Sequence, residues 1–359
     1  MRKSSWRIWL LVFVALQCQS GCGGGGASED SSGNDVAFSA VDAAARSTFD
    51  SLGLDGMGLT IYRADGSRVF EAMYGDFSAD KRVFIASASK MVTGVTLFGL
   101  IDRGVLSLDT TTGEVLGWSG DKSAINVRQL LSFRSGLANE DLCTYVVNTT
   151  LEACVEQIYN DEMLGEPGTR FDYGSTHLQV AGRMAELATG QSWQDIFSDV
   201  ILTPLGLPAD IYYYTRPENL VVSANPLLAG GLVVSMSEYA KFLGFVYRKG
   251  ELDGAQLIDA ALFDQQAMDP YPDAIIGETP VESPSVRYGL TAWLECDTPT
   301  TGCAVISSPG LYGFTPWLDR EHGYYAIIGM ENHDLSQRGT AVALEQTLKP
   351  LIVEALQQL

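Results

Sequence analysis

Histidine is scarce in this chain. Only His177, His322 and His333 occur in 359 residues, and none stands in a recognisable Ser-His-Asp context. No Gly-x-Ser-x-Gly elbow occurs either, which counts against the usual α/β-hydrolase arrangement. The histidines and the six cysteines do not fall at metal-ligand spacing, so no metal is expected. Positive charge is also short: 23 Lys and Arg face 44 Asp and Glu, for a net charge of −21. Such a surface repels nucleic acid and anionic lipid headgroups, and neither is expected as a partner. The N-terminal apolar run, residues 8–16, is too short to span a bilayer.

What is present begins with an export signal. Arg2, Lys3 and Arg7 precede that short run, and small residues follow it, so residues 1–21 read as a signal peptide. Ser20-Gly21-Cys22 resembles a bacterial lipobox with Gln19 in place of the usual aliphatic residue, making Cys22 the expected lipidation site. A periplasmic or cell-surface location follows, with the membrane reached only through that anchor. Residues 22–35, rich in Gly, Ser and Asp, cannot bury apolar surface and read as a flexible linker. In an oxidising compartment the close pairs Cys143 with Cys154 and Cys296 with Cys303 are expected to close local disulfides.

Periodicity predicts a helix over 36–52 and strands over 58–63 and 68–74, joined by a turn containing Asp65-Gly66. A mostly buried helix is expected over 91–101. Helical patterns dominate from about 106 to 268, among them 177–189 and 238–248. Strands are then expected over 287–295, 304–307, 313–318 and 324–329, with a last helix over 339–356. Strands at both ends with helices between them suggest one sheet completed by both termini.

Chemistry concentrates at Ser87-Ala88-Ser89-Lys90, which opens the buried helix. Residues three apart share a helix face, so the two side chains reach each other. Backbone N–H groups at a helix start favour a developing oxyanion. A lysine shielded from water loses enough basicity to serve as a base toward the hydroxyl. Ser119-Gly120-Asp121-Lys122 has the same spacing, but lies in a Gly-containing loop with no apolar helix behind it.

From about residue 36 to 356 the chain resembles the serine β-lactamase and penicillin-binding-protein family, in its class C-like branch. That branch includes β-lactamase-fold esterases, nylon-oligomer hydrolases and D-alanyl-D-alanine carboxypeptidases. The resemblance rests on Ser87-x-x-Lys90, on Gly104-Val105-Leu106-Ser107-Leu108-Asp109 and on the stretch Ile125 to Leu137. It continues through Pro167 to Ser175 and Ala229-Gly230-Gly231-Leu232. It implies an α/β fold of the β-lactamase/transpeptidase type over 36–359: an antiparallel sheet flanked by helices plus a helical domain, with the site between them and no cofactor.

By the same resemblance Tyr173 shuttles a proton between Ser87, Lys90 and the leaving group. Ser175 stands where many relatives have asparagine; its hydroxyl would meet a substrate carbonyl or position Lys90. Ser308-Pro309-Gly310 replaces the family's Lys-Thr-Gly or His-x-Gly, although it also reads as an ordinary turn into a strand. In the first case Gly310 lets substrate approach the backbone, the Leu311 N–H joins the Ser87 N–H as oxyanion donor, and no cation remains at Ser308. Tyr212, Tyr213, Tyr214, Trp293, Tyr312 and Trp317 are candidate aromatic walls, each equally able to be core. The expected activity is that of an exported serine hydrolase on small uncharged acyl esters or amides. A β-lactamase or D-alanyl-D-alanine carboxypeptidase is the alternative, and a non-catalytic surface lipoprotein the rival of another class.

Overall fold

The computed structural model describes residues 36–280, 287–296 and 300–359. The signal-like segment 1–21, the linker 22–35 and Cys22 lie outside the described residues.

Local chemistry builds the first elements close to expectation. Helix α1 (Ser39–Leu52) stops at Gly53, which takes the left-handed conformation that ends helices cheaply. Strands β1 (Gly56–Arg63) and β2 (Arg68–Gly75) form the hairpin. Its turn is closed by Asp65 Oδ1, which accepts from the Ser67 N–H at 2.8 Å and the Ser67 hydroxyl at 2.6 Å. Helix α2 (Ser89–Asp102) is buried without interruption from Ser89 to Leu100, which is why it is apolar on every side. Helices α3 (Leu151–Asn160) and α4 (Thr176–Thr189) pack on each other, and α4 packs on α2. Helix α5 (Met236–Tyr247) starts at a capping box between Ser235 and Glu238.

The last quarter supplies β3 (Trp293–Leu294), β4 (Val305–Ser307), β5 (Thr315–Asp319), β6 (Tyr324–Met330) and helix α6 (Thr340–Leu356). The six strands make one antiparallel sheet in the order β2-β1-β6-β5-β4-β3. The late strand β6 therefore sits beside the early β1, in register from Met57 opposite Met330 to Arg63 opposite Tyr324. Val41 and Ala45 of α1 and Leu344, Leu348 and Ile352 of α6 cover one face, over Leu59, Ile61, Trp317 and Ile328. A larger core fills the space between the other face and the helices. The expected disulfides, Cys143 to Cys154 and Cys296 to Cys303, are both formed.

Two expectations need correction. Helix α5 falls inside the stretch 106–268 read as the helical domain, yet it packs on the sheet. Gly58 and Gly329 face each other in register, and a Cβ on either would stand 2.8 or 2.3 Å from the Met236 sulfur. The two glycines leave the Met236 side chain the space it occupies against the sheet. Residues 287–295 are not one strand. Tyr288 bridges to Trp293, the Gly289 N–H donates to Ala292 at 2.9 Å, and Thr291 sits at φ 60°. The chain doubles back because every residue from Tyr288 to Leu294 is buried, so no alternation of inside and outside faces guides it. Nearby, Arg134 and Asp269 form an ion pair at 2.9 Å with side chains 1% and 2% exposed. Arg134 also donates to the Ser132 and Tyr288 carbonyls, tying the 130s to this reversed loop.

Candidate active site

Residues 83–100 are buried with one interruption, and that residue is Ser87. It stands in a single 3₁₀ turn (Ala86–Ala88) just ahead of α2, rather than in the helix itself. Ala86 before it holds φ 44°, a left-handed conformation unfavourable to a residue with a Cβ. The segment Ala229-Gly230-Gly231-Leu232 holds the turn in place: the Ile85 N–H donates to the Leu232 carbonyl at 3.2 Å, and the Leu232 N–H donates to Ser89 Oγ at 3.1 Å.

Lys90, one residue into α2, brings its Nζ to 3.0 Å from Ser87 Oγ and donates to the Ala229 carbonyl at 2.9 Å. Burial pulls this amine down to about 8, against an opposing pull from the Glu140 carboxylate. The Tyr173 hydroxyl faces the same serine, whose hydroxyl acts on the phenol, and Lys90 Nζ lies 4.6 Å from the centre of the Tyr173 ring. Trp293 stacks on that ring at 5.2 Å, and the edges of Phe133 and Tyr288 close around it. Enclosure raises the phenol well above its ordinary range, so Tyr173 is a neutral donor near pH 7.

The third segment comes alongside. The Ser308 hydroxyl donates to the Ser87 carbonyl at 3.3 Å, and the Ser308 N–H donates to Pro316 at 3.1 Å. A Cβ on Gly310 would stand 2.1 Å from the Ile85 carbonyl. The room that glycine makes is thus taken by the chain entering the Ser87 turn. The N–H groups of Leu311 and Ser87 meet no acceptor among the described residues.

Ser175 donates to Glu140 Oε1 at 3.1 Å and lies beside the Tyr145 hydroxyl. Glu140 escaped the sequence reading. Its charge acts on both Lys90 and Tyr173, and crowding by protein raises its own carboxyl. The available signal was its position three residues beyond the Ser135-Gly136-Leu137 match. Of the candidate walls, Trp293 packs on Tyr173 and Tyr312 lies against Phe84. Tyr213 is instead core between Trp193 and Phe197, and Trp317 lies under the opposite face of the sheet. Tyr212 and Tyr214 touch each other.

The rival arrangements are occupied otherwise. Ser119 bonds the Tyr159 hydroxyl at 2.9 Å, while Lys122 donates to the Tyr159 carbonyl at 2.6 Å and caps the end of α3. His177 Nδ1 lies 2.8 Å from Ser135 Oγ, but both are fully buried and closed to substrate. Burial pulls His177 down to about 4, so it is a neutral link between Ser135 and the Asp172 carbonyl. His322 pairs with Asp319 and His333 with Glu331.

The profile of the family described as Beta-lactamase matches residues 41–348. Penicillin-binding protein 4 of Amycolatopsis lactamdurans is 34% identical over 127 residues, covering 34% of this chain and 33% of that protein. Protein flp of Staphylococcus aureus strain MW2 is 28% identical over 160 residues, 40% of this chain and 32% of that protein. The matched region thus spans about a third of these relatives' own length. Among solved structures, a candidate beta-lactamase of Bacteroides dorei DSM 17855 superposes with a TM-score of 0.75. It is 28% identical and covers 87% of this chain and 98% of that one. EstCE1, a hydrolase with promiscuous acyltransferase activity, shares the fold at a TM-score of 0.71 and 16% identity, covering 88% and 99% of the two chains.

Proposed function

The chain belongs to the Beta-lactamase family, a family of β-lactamase-fold hydrolases, and from that premise we propose that it is an exported serine hydrolase that forms an acyl-enzyme on Ser87 and prefers uncharged acyl esters or amides. One observation carries the reading: a lysine amine brought down to about 8 and a tyrosine hydroxyl converge on the same partly exposed serine. Neutral Lys90 takes the Ser87 proton as Oγ attacks the acyl carbonyl. The oxyanion is received by the N–H groups of Ser87 and Leu311. Tyr173, a phenol and not a phenolate, gives its proton to the leaving group and takes in its place the one Lys90 collected, leaving both groups neutral; water then releases the acyl chain along the same path in reverse. This chemistry uses side chains and backbone N–H groups and calls on no cofactor.

The preference for uncharged substrates rests on the third segment. β-Lactams and D-Ala-D-Ala peptides carry a carboxylate beside the scissile bond, and Ser308 offers it no cation. A charge-assisted hydrogen bond there contributes about 1.5–3 kcal/mol, roughly ten- to a hundredfold in rate. A p-nitrophenyl acyl ester is expected to be hydrolysed with a higher kcat/KM than a chromogenic cephalosporin or a D-Ala-D-Ala peptide, by that margin or more. The likeness to penicillin-binding proteins favours the second reading, a cell-wall peptidase or β-lactamase. Faster turnover of the cephalosporin would put that reading first. A fluorophosphonate probe that leaves the protein unlabelled would instead point to a binding lipoprotein.

Two disulfides suit a protein outside the reducing cytoplasm. The signal-like start further supports anchoring through a lipid on Cys22. The wild-type chain is then expected in the membrane fraction of a bacterial host and Cys22→Ala in the soluble one; equal partition of both discards the anchor.

A further inference from the structure

We propose that Glu140 sets the enzyme's preference among acyl substrates, favouring those that carry a protonated amine on the acyl side. The inference rests on the hydrolase reading above: it keeps the disfavour toward anionic substrates argued from Ser308 and replaces the uncharged class with a cationic acyl group as the preferred one.

Glu140 is held on both sides by backbone that has little freedom. Before it, the Asn139 carbonyl accepts from the N–H groups of Ser175 and Thr176 at 2.8 and 3.2 Å, and the Asn139 amide donates to the Tyr173 carbonyl at 3.2 Å. After it, the Asp141 carboxylate accepts from the Cys143 N–H at 2.6 Å, and Cys143 is bonded to Cys154. The carboxylate is thereby fixed beside the start of α4 and the Tyr173 loop. Oε1 accepts from the Ser175 hydroxyl at 3.1 Å, and the Ser175 N–H and the Lys90 amine also favour the ionised carboxylate. The side chain remains open to solvent, so a ligand can reach it.

The surroundings reinforce the sign. Tyr145 lies beside Ser175 and feels the charges of both Glu140 and Glu218, and Tyr312 feels Glu218 and Glu331. Arg216 on the same rim is engaged, its Nε donating to the Tyr145 carbonyl at 2.9 Å. Phenol rings and the carboxylates of Glu140 and Glu218, with Glu331 held by His333, give these surroundings a negative potential, and rings and carboxylates both attract an ammonium group. A neutral acyl chain gains nothing from Glu140, and an anionic one is repelled by it.

The test compares p-nitrophenyl 3-aminopropanoate with p-nitrophenyl butanoate, which differ by an ammonium in place of a methyl group. The quantity read is the ratio of their kcat/KM values, each corrected for uncatalysed hydrolysis. Any change that Glu140 works on Lys90 affects both esters alike and cancels in the ratio. The wild-type enzyme is expected to favour the aminopropanoate, and Glu140→Gln is expected to lower the ratio about tenfold, the effect of losing one charge-assisted contact. In Glu140→Lys the ratio should fall below one. An unchanged ratio in both variants, with fluorophosphonate still labelling Ser87, overturns the assignment of Glu140 and leaves the hydrolase reading standing. Absence of both labelling and ester turnover in the wild-type protein removes the hydrolase reading and this inference with it.

Discussion

Ser87→Ala is expected to lower kcat for a p-nitrophenyl ester by roughly 10⁵-fold, the scale on which loss of a nucleophile acts, while Ser119→Ala leaves it essentially intact. Both serines stand three residues before a lysine, so spacing alone does not separate them. Their surroundings do. Ser87 is the partly exposed point of a buried run, with Lys90 Nζ at 3.0 Å and the Tyr173 hydroxyl facing it. Ser119 is exposed and bonded to Tyr159, and Lys122 spends its protons on carbonyls at the end of α3. Mass spectrometry after fluorophosphonate treatment should place the adduct on the peptide containing Ser87. An adduct on Ser119, or full activity in Ser87→Ala, would displace the site.

The second large effect is expected at the two groups that move the proton. Lys90→Ala and Tyr173→Phe should each cost on the order of 10² or more in kcat with the fold retained. The two variants should differ in their pH profiles. Lys90 must be neutral to act, and burial brings it down to about 8. In the wild-type enzyme kcat/KM should therefore fall about tenfold per pH unit below that value and level off above it. Lys90→Ala should lose this limb. Tyr173→Phe should keep it, because the phenol is raised well beyond the working range and stays protonated throughout. The phenyl ring also preserves the stacking on Trp293, so stability is an inadequate explanation for lost activity. If Tyr173→Phe turns over at the wild-type rate, the hydroxyl has no part in proton transfer.

Much of the fold was legible because its signals are local. Asp65-Gly66 between β-rich runs announced the hairpin, and the Asp65 side chain does close it. Apolar spacing or, for the all-apolar α2, sheer length located α1, α2, α4, α5 and α6 to within three residues. Short separations, 11 and 7 residues, marked the disulfide partners. Where a buried run was short as well as aperiodic, the reading failed. Residues 288–294 are buried throughout, so apolar content looked like a strand although the chain reverses at Thr291. Tyr213 and Trp317 were candidate walls because composition cannot tell a ring lining a cleft from one filling the core; both fill the core.

The sequence by itself determined what a few neighbouring residues can enforce: that Ser87 and Lys90 share a face, that glycines close the turns, that no histidine relay is at hand. Tertiary structure alone decided which distant groups meet them. Glu140 reaches the neighbourhood of Lys90 because Asn139 is bonded to the start of α4, and Trp293 reaches Tyr173 because the loop before β3 doubles back. Met236 of α5 rests on the sheet because Gly58 and Gly329 leave it room. The physical reason is one of range. Torsional preference, capping and turn hydrogen bonds act within about one helical turn and are written in short motifs. Burial is non-directional, and which surfaces share a core depends on the packing of the whole chain.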